Sequence, residues 1–274
     1  MNGPRAAMTA PSPATPNDAM LLRRDEDGVA TLTLNRPEAR NALSQELMAR
    51  MIVELDAIAH DASVRVVVIA GAGPAFCAGH DLREIRAHAD EAFYTKLFDT
   101  CAQLMLAVTH LPQPVIARVH GMATAAGCQL VASCDLAVAS ESARFATPGV
   151  NIGLFCSTPM VAVSRKIGRK PMMEMLLLGE PVDAREAQRL GLVNRCVADA
   201  ALDRTVAEIA GKLAGKSALT LRIGKEAFYR QLDMGLENAY AYCSEVMTRN
   251  MMAEDAAEGI DAFLEKRPPA WRDR

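Results

Sequence analysis

The chain has 274 residues, 50% of them hydrophobic and 23% charged, with 30 Lys and Arg against 33 Asp and Glu for a formal net charge of -3. That balance describes a globular chain able to bury a sizeable core, and with 4% aromatic residues it argues against a nucleic-acid partner. No apolar run of about 18 residues predicts a membrane span, and the 7 cysteines form neither a C-x-x-C pair nor an even set, so no metal site and no disulfide framework is expected.

Residues 1–19, rich in Pro, Ala, Thr and Ser, read as a disordered tail. The tail has one Arg and no acid before Asp18, which suits a transit peptide weakly, so the expected compartment is the cytoplasm, or the mitochondrial matrix in a eukaryote. Over 21–34 the alternation V-A-T-L-T-L and the cluster Asp25-Glu26-Asp27-Gly28 predict a hairpin. Ser44 is the expected N-cap of a helix running to about 60, with Leu47, Met51, Ile52, Leu55 and Ile58 on one face. The β-branched run over 64–70 predicts a strand buried on both faces.

A Gly-rich loop at 71–74, a helix over 91–110 and a second buried strand over 114–119 follow. A loop at 121–125, a short helix from 126 and a strand over 135–139 repeat that order, which predicts an α/β domain. Beyond 158 the pattern is helical over 160–167, 170–178, 183–189, 202–214, 218–232, 236–251 and 255–266, interrupted by a strand at 193–197. No internal repeat shows at the level of sequence.

Two glycine-containing turns, F-C-A-G-H-D-L at 76–82 and G-M-A-T-A-A-G-C-Q at 121–129, each follow a buried strand and open a helix. Such turns place unbonded backbone N–H groups and positive helix ends at one edge of a sheet. Two donors converging on one oxygen form an oxyanion hole, which stabilises the anion that develops from a thioester carbonyl. Taken singly, either turn reads as glycine reversing the chain.

The segments N-R-P-E-A-R-N-A-L, G-P-A-F-C-A-G-H-D-L-R-E, P-V-I-A-R-V-H-G-M-A-T-A-A-G-C-Q-L, C-D-L-A-V-A-S, G-E-P-V-D-A-R-E-A-Q-R-L-G-L-V and F-L-E-K-R, in that order, resemble the enoyl-CoA hydratase/isomerase (crotonase) superfamily. The stretches T-A-A-G-C-Q-L-V-A-S-C-D and F-A-T-P-G-V-N-I-G-L-F-C-S-T-P are similar to its enoyl-CoA hydratase domain-containing protein 3 branch. The resemblance implies a crotonase-type ββα spiral core over 20–200 and a C-terminal helical trimerisation region over 201–274, in a homotrimer or dimer of trimers. It implies an acyl-CoA partner, with CoA entering as part of the thioester and no further cofactor. It assigns the oxyanion donors to the N–H groups of His80 and Ala126, likens His80, Asp81, Leu82 and Arg83 to the stretch that touches CoA, and offers Arg40, Lys266 and Arg267 for its phosphates. A solvated surface role is the plain alternative for each of those charges.

Hydratases of the superfamily use two glutamates as base and acid, and the matching positions here are Gln129 and Gly149. Gln129 can orient a water but does not titrate, and Gly149 has no side chain, so hydration by the usual route is not expected. G-H-D also resembles the methylmalonyl-CoA decarboxylases, in which loss of carbon dioxide generates the enolate without a strong base; a CoA-binding protein that has lost its chemistry is the other alternative. The His80 imidazole could serve as acid or base, or merely pack at the helix start. Asp81 is expected to accept helix N–H bonds, Cys128 and Cys156 to pack, and His60, His110 and His120 to lie on the surface or in loops.

Overall fold

Residues 19–274 are described in the computed structural model. The expected tail lies outside the described residues apart from Ala19, whose carbonyl accepts from the Asn35 side chain at 2.9 Å. The hairpin forms where the alternation places it, as β1 (Leu21–Glu26) and β2 (Val29–Leu34), reversing at Asp27 and Gly28 with φ of 50° and 76°. Helix α1 (Gln45–Ala59) starts at Ser44, whose hydroxyl accepts the Leu47 N–H at 3.2 Å, and it buries Leu47, Met51, Leu55 and Ile58 along one face.

Three units then follow one plan: a long strand, a short strand and helix. The first is β3 (Val66–Gly71), β4 (Ala75–Cys77), α2 (Leu82–Ala87) and α3 (Glu91–His110). The second is β5 (Val115–Val119), β6 (Met122–Thr124) and α4 (Ala126–Ser133). In the third, β7 (Leu136–Ser140) and β8 (Arg144–Ala146) lead to α5 (Ser157–Val163) and α6 (Arg169–Leu178). The short strand β9 (Val182–Asp183), α7 (Ala184–Leu190) and β10 (Arg195–Val197) close the core.

Long strands form a six-stranded sheet in the order β1-β2-β3-β5-β7-β10, and short ones a four-stranded sheet in the order β4-β6-β8-β9. Each unit advances both sheets by one parallel strand, so the chain climbs as a ββα spiral. The second sheet corrects the sequence reading, which left 121–125 as loop although Met122–Thr124 is a strand. Strands of two or three residues are too short to show a period of two.

The β-branched run of β3 is buried on both faces, as expected. Val67 and Ile69 join the central core with α1 and α3, while Val66 and Val68, with Ile116 and Val138, meet Leu202, Val206 and Ala210 of α8 (Leu202–Ala214). Each such side chain contributes roughly 1.5–3 kcal/mol when fully buried.

Helices α9 (Ala218–Gln231), α10 (Leu236–Met251) and α11 (Glu254–Glu265) complete the chain. Lys225 of α9 reaches Asp135 at 2.7 Å and the Gln113 carbonyl at 2.9 Å, and the Tyr229 hydroxyl donates to Asp135 at 2.9 Å. The C-terminal tail folds back, with the backbone N–H groups of Arg272 and Asp273 donating to the buried Asp255 carboxylate. Leu236, Tyr240 and Met247 of α10 and Phe263 and Leu264 of α11 stay exposed. Among the described residues no helix is long and apolar enough to cross a membrane.

Candidate functional site

The carboxyl ends of β4 and β6, paired at Cys77 and Ala123, carry the chain into the two turns singled out in the sequence. The first turn is braced from behind by the segment that follows Asn35. Ala78 N–H donates to Arg40 C=O at 3.0 Å, Leu43 N–H to Gly79 C=O at 2.7 Å, and Asp81 N–H to Leu43 C=O at 3.2 Å. Leu43 thus bonds the residues on either side of His80 in a parallel bridge, which turns the N–H of His80 away from it. Fully buried Asn41 holds this brace: its Oδ1 accepts Arg36 N–H at 2.9 Å and its Nδ2 donates to the carbonyls of Ala72 and Ala75, both at 2.8 Å. Here lies the structural meaning of N-R-P-E-A-R-N-A-L.

The two turns meet. A Cβ on Gly79, whose φ is +88°, would lie 3.0 Å from the Cβ of Ala125 and 3.4 Å from the backbone N of Ala126. Gly127 sits closer still, for a Cβ there would come within 2.2 Å of the Cys77 carbonyl oxygen. Ala125 adopts φ 49° and ψ -118°, a conformation costing a non-glycine residue about 1–3 kcal/mol, with its N–H bonded to the Ala146 carbonyl at 2.9 Å. That bend starts α4 at Ala126, whose N–H belongs to the first turn and has no intrahelical acceptor. Among the hydrogen bonds of the described residues, neither the His80 N–H nor the Ala126 N–H has a partner. Two unbonded donors therefore stand on abutting turns, one at the positive end of α4.

Around them, both nitrogens of the His80 imidazole are shielded from solvent without a hydrogen-bond partner, and the ring stands edge-on to Phe98 of α3 at 5.7 Å between centroids. Burial pushes its pKa below the usual value, opposed by the nearby Leu43 carbonyl, which does not meet hydrogen-bond geometry with the ring. Gln129 is buried one turn along α4 from Ala126, its Oε1 3.8 Å from the thiol of Cys101. Phe98 and Cys101 share a face of α3, so the imidazole and the carboxamide flank one stripe of that helix. Gly149 lies in the 3₁₀ turn Pro148–Ile152, its N–H donating to the Cys156 sulfur at 3.3 Å, and a Cβ there would lie 3.0 Å from the same sulfur. The thiol thus closes the space in front of Gly149. Thr147 is fully buried, its hydroxyl without a partner, at the level of Ala125 in the β6–β8 register. Burial pushes the thiols of Cys77, Cys101 and Cys128 up to about 12, so all three are neutral.

The model of the family described as enoyl-CoA hydratase/isomerase matches residues 24–274. The chain belongs to the enoyl-CoA hydratase/isomerase family. The crystal structure of an enoyl-CoA hydratase from Mycobacterium smegmatis matches with a TM-score of 0.91 at 55% identity, over 93% of this chain and 99% of that one. The crystal structure of human enoyl-CoA hydratase domain-containing protein 3 matches with a TM-score of 0.90 at 43% identity, over 92% and 100% of the two chains. The rat protein called "Enoyl-CoA hydratase domain-containing protein 3, mitochondrial" is 44% identical over 248 residues, 90% of this chain and 83% of its own. The resemblance to that branch of the crotonases is borne out, as is the spiral fold.

Within this crotonase frame the residues carried over from the sequence fall into two groups. His80, Ala126 and Gln129 come together, and Gly149 joins them through Cys156, which caps α5 where it packs on α4. Asp81 is the N-cap of α2, accepting from Arg83 N–H and Glu84 N–H, and Arg36 binds it at 2.9 Å. Burial opposes its ionisation, yet Arg36 and those N–H groups hold its carboxyl below the usual range. Leu82 and Arg83 are exposed on the first turn of α2, and Arg40 is exposed with its carbonyl tied to Ala78. Lys266 ends α11 with φ 55°, and Arg267 is held by Glu258 and Glu265. α11 packs chiefly on α10, which leaves these two cations out of the group at the turns.

His120 lies where the sequence placed it. It lies in the loop between β5 and β6, half-buried, with Nε2 2.8 Å from the Gly73 carbonyl and Nδ1 buried without a partner. Phe98, Cys101, Thr147 and the strained Ala125 were not foreseen at the site. Only Ala125 left a trace in the sequence, beside the glycine-containing turn; the others arrive through contacts distant along the chain.

Proposed function

We propose that the chain binds an acyl-CoA thioester with its carbonyl oxygen between the N–H groups of His80 and Ala126, and stabilises the enolate form of that thioester. One observation carries this reading: two unbonded donors on turns that abut, one of them at the start of α4. Membership of the enoyl-CoA hydratase/isomerase family supports the substrate class and a setting in fatty-acid or related CoA metabolism. Standard hydration lacks its carboxylates at Gln129 and Gly149, and positioned acid–base groups contribute typically about 10²–10⁴-fold. The apolar side chains exposed on α10 and α11 support a trimer or dimer of trimers, and the name of the rat relative supports the mitochondrial matrix as an alternative to the cytoplasm.

A second reading, decarboxylation of an α-carboxy acyl-CoA, is favoured by the neutrality of both positions. Neither Gln129 nor Gly149 repels a substrate carboxylate, and loss of carbon dioxide needs no base.

The test is calorimetric binding and turnover of enoyl-, malonyl- and methylmalonyl-CoA by the wild type and by Gln129→Glu/Gly149→Glu/Cys156→Ala. Removing the Cys156 sulfur is required because it stands 3.0 Å from the new Cβ. Thioesters are expected to bind both proteins, with enoyl-CoA hydration rising by at least about 10²-fold in the variant. Release of carbon dioxide by the wild type would select the second reading, binding without any turnover a CoA-binding protein that has lost its chemistry, and absence of binding would contradict all three.

A further inference from the structure

The deepest unexplained feature of the site is an imidazole without a partner. Buried polar groups are satisfied almost everywhere in native structures, and the exceptions concentrate where a function keeps them open. Both nitrogens of His80 are out of solvent and unbonded, and the ring is fixed edge-on against Phe98. It rises from the residue whose own N–H is one of the two unbonded donors, and it faces the same stripe of α3 as Gln129.

We propose that His80 is the proton acceptor of this site, its ring nitrogen taking a proton from the carbon next to the thioester carbonyl while its backbone N–H and that of Ala126 hold the enolate oxygen. The inference rests on the thioester reading above. The carbon–hydrogen bond breaks, its electron pair becomes the carbon–carbon double bond of the enolate, and the carbonyl π pair moves onto oxygen. The proton adds to the imidazole lone pair, giving an imidazolium with the enolate as its counter-ion. Return of the proton to the same carbon restores the thioester. Delivery to the γ-carbon of a 3-enoyl thioester instead moves the double bond into conjugation.

The surroundings leave this role to His80. Asp81 is taken by Arg36 and the α2 N–H groups, and Glu84 of α2 accepts Gln45 N–H at 3.1 Å. Cys77 of β4 and Cys101 of α3 are kept as thiols by burial, and Gln129 of α4 carries no charge. Neither a competing base nor a fixed cation faces the ring from those elements. Burial lowers the imidazole pKa from 6.5, so at neutral pH the ring is in its basic form.

The experiment is exchange of the α-hydrogens of butyryl-CoA in deuterium oxide, followed by mass spectrometry, with the affinity for butyryl-CoA measured by calorimetry on the same samples. His80→Gln keeps the backbone N–H and removes the base; it is expected to slow exchange by about 10²–10⁴-fold while affinity changes only a few-fold. Wild-type exchange should rise with pH through a midpoint below 6.5 and then level off. Binding without exchange in the wild type, or equal exchange in the variant, would overturn the proposal, the first without requiring the variant to fold. Absence of binding by the wild type would instead overturn the thioester reading.

Discussion

Gly127→Ala is expected to lower stability by about 3 kcal/mol and to weaken thioester binding and turnover together. The new Cβ would stand 2.2 Å from the Cys77 carbonyl oxygen and 2.9 Å from its carbonyl carbon, and backbone cannot swing aside as the end of a long side chain can. α4 must therefore retreat from β4. Its first residue is Ala126, so the same movement separates the two turns that Gly79 and Ala125 hold in contact. A misplacement of about 1 Å costs a positioned site up to roughly 10²-fold. Gly211→Ala is the control, because this exposed glycine of α8 has no atom within 4 Å of a new Cβ and a helical Gly→Ala change stabilises by up to about 1 kcal/mol. Urea unfolding of both variants checks the contrast; equal stability of Gly127→Ala and wild type would refute the close approach of α4 to β4.

Lys225→Met is expected to cost about 3–5 kcal/mol, the range found when one partner of a buried ion pair is removed. Burial pushes this lysine below its usual pKa, opposed by Asp135, and the pair still forms at 2.7 Å. Asp135 also accepts from Val115 N–H at 2.7 Å and from Tyr229, so it joins β5, the approach to β7 and α9. Without the ammonium its charge keeps only the Val115 N–H and the Tyr229 hydroxyl as direct partners. Adding Asp135→Asn should recover part of the loss, since the neutral amide oxygen still accepts from Val115 N–H while its NH2 can donate to the Tyr229 hydroxyl oxygen, in place of the two carboxylate oxygens that now accept from them. Chemical denaturation of the single and double variants measures this coupling. A single variant within 1 kcal/mol of wild type, roughly the worth of an exposed pair, would show that the clasp is solvated.

The same contrast between local and distant information separates what could be read in the sequence from what could not. Helix α3 lies over the residues its periodicity marks, and α1 begins at the serine that caps it, because period and cap are local signals. β4, β6, β8 and β9 escaped, since two or three residues carry no pattern and their pairing is with partners elsewhere in the chain. At the site, the turns at His80 and Ala126 were legible from glycine following strand and preceding helix. Replacement of both hydratase carboxylates by Gln129 and Gly149 was legible as well, once the residues had brought out the family. That Cys156 closes the space before Gly149, that Phe98 and Cys101 place His80 and Gln129 along one stripe of α3, and that Asn41 holds the brace behind the turn are facts of packing. Neighbours in sequence do not encode them.

On the proposed reading, an acyl thioester oxygen lies between the N–H groups of His80 and Ala126. Isotope-edited vibrational spectroscopy of crotonyl-CoA carrying a ¹³C-labelled carbonyl, free and bound, tests it most directly. Two hydrogen bonds to that oxygen polarise the bond, so the carbonyl stretch is expected to move to lower frequency on binding, and by less in Gly127→Ala. A bound complex whose carbonyl stretch stays at the frequency of free crotonyl-CoA would show that the oxygen is not held by these two N–H groups.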